Sequence, residues 1–122
     1  MNAPDREESV LLDENTEVKV GYKVDSKIVN SADFIFVKED HTLGNILRMK
    51  LLENGSVRFA GYRHPHPLEN LIEMKVRTDG SMTSLDAVRE ATASLTDEVC
   101  RLENKFREAK DNFHDAGMGM MG

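Results

Sequence analysis

The last third of the chain carries an apolar repeat that limits the folds available to it. Apolar or small residues alternate in steps of three and four over about four heptads, and they are Leu85, Val88, Thr92, Leu95, Val99, Leu102, Phe106, Ala109 and Phe113. At 1.5 Å per residue, a helix of that length spans about 40 Å, more than the core of a small domain covers. We therefore expect a helix over about residues 84–113, capped by Thr83, with part of it projecting to pair with a helix of another chain. A helix packed only on its own sheet is the alternative.

A second helix is predicted from residues 38–52. Thr42 is the expected N-cap, and the preceding Asp40 favours the positive end of the helix dipole. One apolar stripe at helical spacing consists of Leu43, Ile46, Leu47 and Leu51. Met49 and Leu52 point away from that stripe, which indicates a second apolar surface for another chain.

Gly44 lies inside this predicted helix. Glycine costs about 1 kcal/mol relative to alanine in a helix interior, so it usually marks a close approach of another backbone. We interpret it as a sign of a close helix crossing with a partner. On pattern alone, the simpler interpretation is a buried amphipathic helix with a tolerated glycine.

The remaining pattern is that of strands. Residues 18–24 alternate as in a strand with one buried face, whereas residues 32–37 are apolar on both sides, as in a central strand covered on both faces. Residues 57–62 and 72–77 supply two further strands, and Gly55 is expected to cap the preceding helix in the left-handed conformation. The sequence predicts an α+β fold, in which an antiparallel sheet carries one helix at a dimer interface and is followed by a long C-terminal helix.

Size and charge restrict the function. A chain of 122 residues with 39% hydrophobic content forms one domain, and a net charge of -6 argues against holding a nucleic-acid backbone directly. We expect an N-terminal arm at residues 1–9, a domain at 10–114 and a flexible tail at 115–122. No signal-like start or membrane-length apolar run appears, so we expect an intracellular protein. The single cysteine, Cys100, allows no intrachain disulfide.

Motifs for chemistry are few. We find no phosphate-binding loop, nucleophile elbow or paired-cysteine motif, so we expect no catalytic residue and no cofactor. The histidines His41, His64 and His66 could hold zinc or copper in a small metal-dependent enzyme. Because no carboxylate lies at ligand-like spacing, we favour structural or partner-contact roles over a metal site.

Three separated motifs carry a family resemblance. Residues 39–48 (EDHTLGNILR), 59–62 (FAGY) and 66–68 (HPL) occur in this order before a long terminal helix. Together with the Met-Asn-Ala-Pro start, they resemble the small alpha-like subunits of eukaryotic RNA polymerase II, the eleventh-subunit family. The equivalent subunits shared by polymerases I and III have a similar helix motif and are the nearest alternative.

The resemblance implies a non-catalytic nuclear subunit. In this family the domain is like the dimerisation part of the bacterial alpha subunit, and it heterodimerises with the larger alpha-like subunit, the third. The heterodimer is the platform to which the second-largest and then the largest catalytic subunits are added. Carried over to this chain, the partner interface comprises Leu43, Gly44, Asn45, Leu47, Arg48 and Leu51 on the first helix, and Leu95, Val99, Leu102, Phe106 and Phe113 on the second.

Overall fold

A computed structural model describes residues 19–121, with side chains through Gly117; the predicted arm at residues 1–9 lies outside the described residues. The elements in chain order are β1 (Val20–Val24), β2 (Ser31–Val37), α1 (His41–Leu52), β3 (Val57–Arg63), β4 (Leu71–Thr78) and α2 (Ser84–Met121). No helix in this part of the chain is both long and apolar enough to cross a lipid bilayer.

The four strands form one antiparallel sheet in the order β1-β2-β4-β3. Phe34 of β2 lies opposite Tyr22 of β1 and Met74 of β4, so inward-facing side chains form rows across the strands. The core residues are Ala32, Phe34, Phe36, Leu47, Leu51, Val57, Ala60, Ile72, Met74, Val76, Ala87, Val88 and Ala91. The predicted α+β architecture with an antiparallel sheet and a long C-terminal helix is confirmed.

Two expectations about strand burial are wrong in detail. β2 is internal, as predicted, but Ile35, which alternates with the buried Phe34 and Phe36 and so lies on the opposite face, is exposed rather than covered. β1 has the predicted alternation, yet Val20, Tyr22 and Val24 are all exposed. As an edge strand, β1 has a pairing neighbour on one side only, and alternation alone cannot predict whether a face is covered.

The ends of α1 also differ from expectation. The N-cap is Asp40, not Thr42: Asp40 has an extended backbone, and its carboxylate accepts a hydrogen bond from the Thr42 N–H at 2.9 Å. At the other end, Gly55 does not adopt the left-handed conformation. The helix instead closes with tight turns, in which the N–H of Glu53 donates to the Lys50 carbonyl at 3.2 Å.

Removing the Asp40 cap should loosen the start of α1. We expect Asp40→Ala to lower the free energy of unfolding by about 1 kcal/mol, because the Thr42 N–H loses its acceptor. Asp40→Asn, which retains an acceptor oxygen, should lose less. Urea unfolding followed by circular dichroism measures both; equal losses for the two variants would show that the cap hydrogen bond is not what stabilises this end.

The start of α2 is attached to the sheet through side-chain hydrogen bonds. The predicted N-cap Thr83 accepts from the Asp86 N–H at 3.1 Å, and the buried Ser84 hydroxyl lies 2.9 Å from the Val76 carbonyl, to which it donates.

α2 continues to Met121, past the predicted end near residue 113. Alanine and methionine are good helix formers, so Gly117 and Gly119 do not end it. By compactness the chain divides into two units, one ending at Ala91 and one starting at Thr92.

The turn after β1 gives a pH dependence with a defined sign. The Lys27 and Ile28 N–H groups donate to the Asp25 carboxylate and, with the Lys75 charge, hold the pKa of Asp25 below its ordinary value of 3.8. A lowered folded-state pKa contributes stability above pH 4, and this contribution is lost as the pH falls through the folded-state value. We expect the stability advantage of wild type over Asp25→Asn to shrink between pH 6 and pH 3 in urea titrations. Asp111→Asn controls for the loss of one charge; an advantage independent of pH would contradict the assignment.

Candidate protein interface

The inner side of α1 faces the chain's own sheet. Leu47 and Leu51 are buried, Leu51 completely, and α1 packs chiefly against β3. The burial of these two leucines stabilises the packing of α1 on the sheet. The same burial leaves them almost no surface to offer another chain.

Gly44 is required by a contact inside the chain. A Cβ atom at this position would lie 2.7 Å from Cδ2 and 2.8 Å from Cε2 of the Tyr62 ring on β3. The Tyr62 hydroxyl is 3.1 Å from Nδ1 of His41, and the Arg48 guanidinium carbon is 6.0 Å from the Tyr62 ring centre. The close approach that the sequence indicated at Gly44 is therefore made by an aromatic ring of the same chain, and the interpretation as space for a partner helix is corrected.

The outer side of α1 presents an apolar surface, which we name the α1 face: Ile46, Met49 and Leu52. These side chains are between 47% and 57% exposed and recur every three residues, so they lie along one side of the helix. The sequence already indicated that Met49 and Leu52 point away from the inner stripe. Ile46 was assigned to that stripe, and the structure places it on the outer side instead.

The interface residues predicted on α1 are divided between these two sides. Gly44, Leu47 and Leu51 are buried within the chain, because the stripe they form is the one that covers the sheet. Leu43 and Arg48 are half-buried and Asn45 is exposed, its side-chain oxygen accepting from the Arg48 guanidinium at 3.0 Å. The α1 face, Ile46, Met49 and Leu52, lies outside the predicted interface set, although Ile46 belongs to the motif at residues 39–48.

The second predicted surface, which we name the α2 seam, consists of Leu95, Val99, Leu102, Phe106 and Phe113. Leu95 is half-buried, and the other four are between 61% and 81% exposed. Four large apolar side chains at heptad spacing on one helix are typical of a surface that pairs with another helix. Cys100, next to the seam residue Val99, is exposed.

The histidines do not assemble as a metal site in the described part of the chain. The rings of His41 and His64 lie edge to face with centres 5.4 Å apart, and Nε2 of His64 contacts the Glu69 carbonyl. His66 is exposed. Among residues 19–121, no group of three or more histidine, cysteine or acidic side chains could hold a metal ion. Within the chain, His41 contacts the Tyr62 hydroxyl and His64 contacts the Glu69 carbonyl.

An open depression of about 760 Å³ lies on the outer face of the sheet, where Gly21 and Gly61 leave space beside Ile35 and Phe59. Its charges are balanced locally, since Arg63 lies 2.6 Å from Glu73, and the pair Lys75 and Asp33 also lies at its edge. The described side chains lining it include no serine, cysteine or histidine that could act as a nucleophile or base. Its charged side chains Glu73 and Lys75 are each held in an ion pair with a neighbouring strand.

Known proteins with similar sequences are polymerase subunits. The chain is 42% identical over 108 residues to the protein named DNA-directed RNA polymerase II subunit rpb11 of Dictyostelium discoideum, covering 88% of this chain and 89% of that protein. It is 41% identical over 109 residues to the probable RNA polymerase II subunit RPB11 of Caenorhabditis elegans, covering 89% and 88%. It is also 41% identical over 105 residues to RPAC2 of RNA polymerases I and III of Saccharomyces cerevisiae, covering 86% and 68%.

A solved structure has a similar fold. Subunit L of the DNA-directed RNA polymerase of Thermoplasma acidophilum superposes with a TM-score of 0.65 at 23% identity, covering 80% of this chain and 96% of that one. Residues 31–105, which include both α1 and most of the α2 seam, match the RNA polymerase Rpb3/Rpb11 dimerisation domain. The chain therefore belongs to the RNA polymerase Rpb3/Rpb11 dimerisation domain family, as an Rpb11-like subunit.

Proposed function

We propose that this chain is a non-catalytic, nuclear subunit of RNA polymerase II that heterodimerises with the larger alpha-like (third) subunit. In this role the heterodimer is the platform for the second-largest and then the largest catalytic subunit, and the chain acts on nucleic acid only through the assembled enzyme. The observation that carries the proposal is the pair of exposed apolar surfaces: the α1 face lies inside the matched dimerisation domain, and the α2 seam begins in it and continues past its end at residue 105. Apolar patches of this kind on a charged chain indicate a protein-binding site.

The physical argument is the same for both helices. α1 buries one stripe in the chain's own core, and α2 buries its first turns there. Each helix also has a row of large apolar side chains that is exposed to water. Burying a leucine- or phenylalanine-sized side chain contributes about 1.5 to 3 kcal/mol, so several such residues from two helices supply a stable interface. A nucleotide- or metal-dependent function has no comparable support among the described residues.

The shared subunit of polymerases I and III is the second candidate. The sequence identity to the yeast RPAC2 subunit is 41%, close to the 42% identity to the rpb11 relative. The polymerase II assignment is favoured by coverage, since the chain spans 89% of the rpb11 relative but 68% of RPAC2.

A tagged pull-down from nuclear extract, with mass spectrometry of the recovered proteins, tests the proposal. Recovery of the polymerase II catalytic subunits with the third subunit is the expected result. Recovery of polymerase I and III subunits would transfer the assignment to the shared subunit. If no polymerase subunit is recovered, the proposal fails.

Charged residues introduced on the α1 face should reduce the amount of third subunit that copurifies with this chain. We expect Met49→Asp combined with Leu52→Asp to reduce copurification of the third subunit at least tenfold, because two buried apolar contacts become buried carboxylates. Val29→Asp, which adds one carboxylate at an exposed apolar residue outside both helices, is the control for charge away from the α1 face and should bind as wild type. Undiminished binding by the double variant would exclude the α1 face from the interface.

A further inference from the structure

The charges that border the α2 seam are ordered along the helix. In the heptad with Val99 and Phe106 at positions a and Leu102 at d, Glu98 and Lys105 take the g positions. Glu103 and Lys110 take the e positions. Both flanks are therefore acidic near the start of the seam and basic further along.

This order disfavours a parallel pair of two identical α2 helices. In a parallel pair, each g residue faces the e residue five positions further along the other helix. Glu98 would then face Glu103, and Lys105 would face Lys110 of the second copy. Arg107 lies 2.7 Å from Glu103 on the same helix and offsets part of the acidic repulsion, but the lysine pair is repelled.

The same order favours an antiparallel pair. In that arrangement g residues face g residues, so Glu98 of each copy faces Lys105 of the other, giving two opposite-charge pairs about a two-fold axis. On the other flank e residues face e residues, so Glu103 faces Thr96 and Lys110 faces Arg89 of the second copy. The antiparallel pair therefore has two attracting and two repelling charge pairs, whereas the four g–e contacts of the parallel pair all join like charges.

The register that pairs Glu98 with Lys105 also stacks Leu95 on Phe106 and Val99 on Leu102 of the second copy. Two-fold symmetry repeats both layers, so four apolar layers form. Each charge pair lies at the edge of the seam, between an outer Leu95–Phe106 layer and an inner Val99–Leu102 layer.

We propose that, when no larger subunit occupies the seam, α2 binds a second copy of this chain antiparallel, with the two-fold axis between Cys100 and Arg101. Val99, Leu102 and Phe106 are each more than 60% exposed, so they are available for these layers. The inference stands on heptad position and charge and does not depend on the polymerase assignment. It implies that self-association and heterodimer formation compete for one surface.

Charge reversal tests the direction of pairing. In sedimentation equilibrium of the full chain, we expect a reversible dimer whose dissociation constant rises at least tenfold in Lys105→Glu and returns toward wild type in Glu98→Lys with Lys105→Glu. Arg101→Glu, on an exposed part of the same helix away from the seam, is the control and should leave dimerisation unchanged. In a parallel dimer, Lys105→Glu would strengthen association by pairing with Lys110. Strengthening, no effect of Lys105→Glu, or a monomer at every concentration would overturn the proposal.

Disulfide trapping tests the register independently. In a Cys100→Ser background, chains carrying Val99→Cys should form no disulfide with each other but should form one with chains carrying Leu102→Cys, because position 99 faces position 102 of the other copy and not position 99. A parallel dimer would instead cross-link Val99→Cys with itself, since equivalent a positions then meet. Self-linking of Val99→Cys, or no disulfide in the mixture, would exclude this antiparallel register.

Discussion

Gly44→Leu is expected to destabilise the isolated chain before any partner is involved. The new Cβ atom would lie 2.7 Å from the Tyr62 ring, and the rest of the leucine would have to displace that ring from between α1 and β3. Overpacking of this kind costs about 1 to 3 kcal/mol and occasionally more, a large part of the stability of a small domain. We expect a loss of about 3 kcal/mol in the free energy of unfolding, measured by urea titration of the purified chain.

A double-mutant cycle assigns this loss to the ring. In a Tyr62→Ala background the space is open, so the further change Gly44→Ala should be neutral or should stabilise the helix by about 1 kcal/mol. Gly55→Ala is the control, because a Cβ atom there meets nothing within 4 Å. If Gly44→Ala destabilises equally with and without the ring, the contact with Tyr62 is not the cause. If the cycle confirms the contact with Tyr62, a loss of partner binding by Gly44→Leu follows from destabilisation of the chain itself. It is then not evidence that a partner helix crosses α1 at Gly44.

Leu102→Asp combined with Phe106→Asp should weaken binding to the partner while leaving the stability of the isolated chain nearly unchanged. Both side chains are 69% exposed, so the isolated chain should keep its unfolding free energy within about 0.5 kcal/mol. Binding to the larger alpha-like subunit, in contrast, should lose two apolar anchors worth a few kcal/mol each, a weakening of about a thousandfold or more. Isothermal titration calorimetry, or copurification where the partner is insoluble alone, measures the loss.

The control for this variant keeps the helix and the added charge. Cys100→Asp with Asn104→Asp also adds two carboxylates four residues apart on exposed positions of α2, but outside the seam. It should bind the partner with wild-type affinity at physiological salt. Equal weakening by both variants would mean that negative charge, and not burial of the seam, controls binding. Wild-type affinity of Leu102→Asp with Phe106→Asp would remove the seam from the interface.

Much of the fold follows from local pattern. The alternation of Ile72, Met74 and Val76 predicts the strand β4, in which all three residues are buried, and Thr83 caps α2 as its sequence position indicates. Strand alternation and helix caps depend on a few neighbouring residues, so they can be predicted from sequence alone. The heptad repeat of α2 is likewise a local pattern that can be predicted from sequence. The end of α2 cannot, because Gly117 weakens a helix without necessarily stopping it.

The candidate interface was only partly predictable. The excess of apolar positions on α1 is visible in the sequence, and it indicates two surfaces. Which residues belong to which surface depends on the rotation of the helix over the sheet, and a rotation of one residue step, about 100°, exchanges neighbours such as Ile46 and Leu47. The family motif does not resolve this, since its residues include both buried and exposed ones.

By itself the sequence determined the type and order of the elements, the presence of a glycine that something approaches closely, and a long helix with more apolar surface than its own domain needs. Only the tertiary structure decided that the approaching group at Gly44 is the ring of Tyr62, and that Leu47 and Leu51 belong to the core while Ile46, Met49 and Leu52 face outward. The physical reason is that Tyr62 lies 18 residues from Gly44 on another element, and contacts of this range are fixed by how α1 packs on β3, which no local pattern contains.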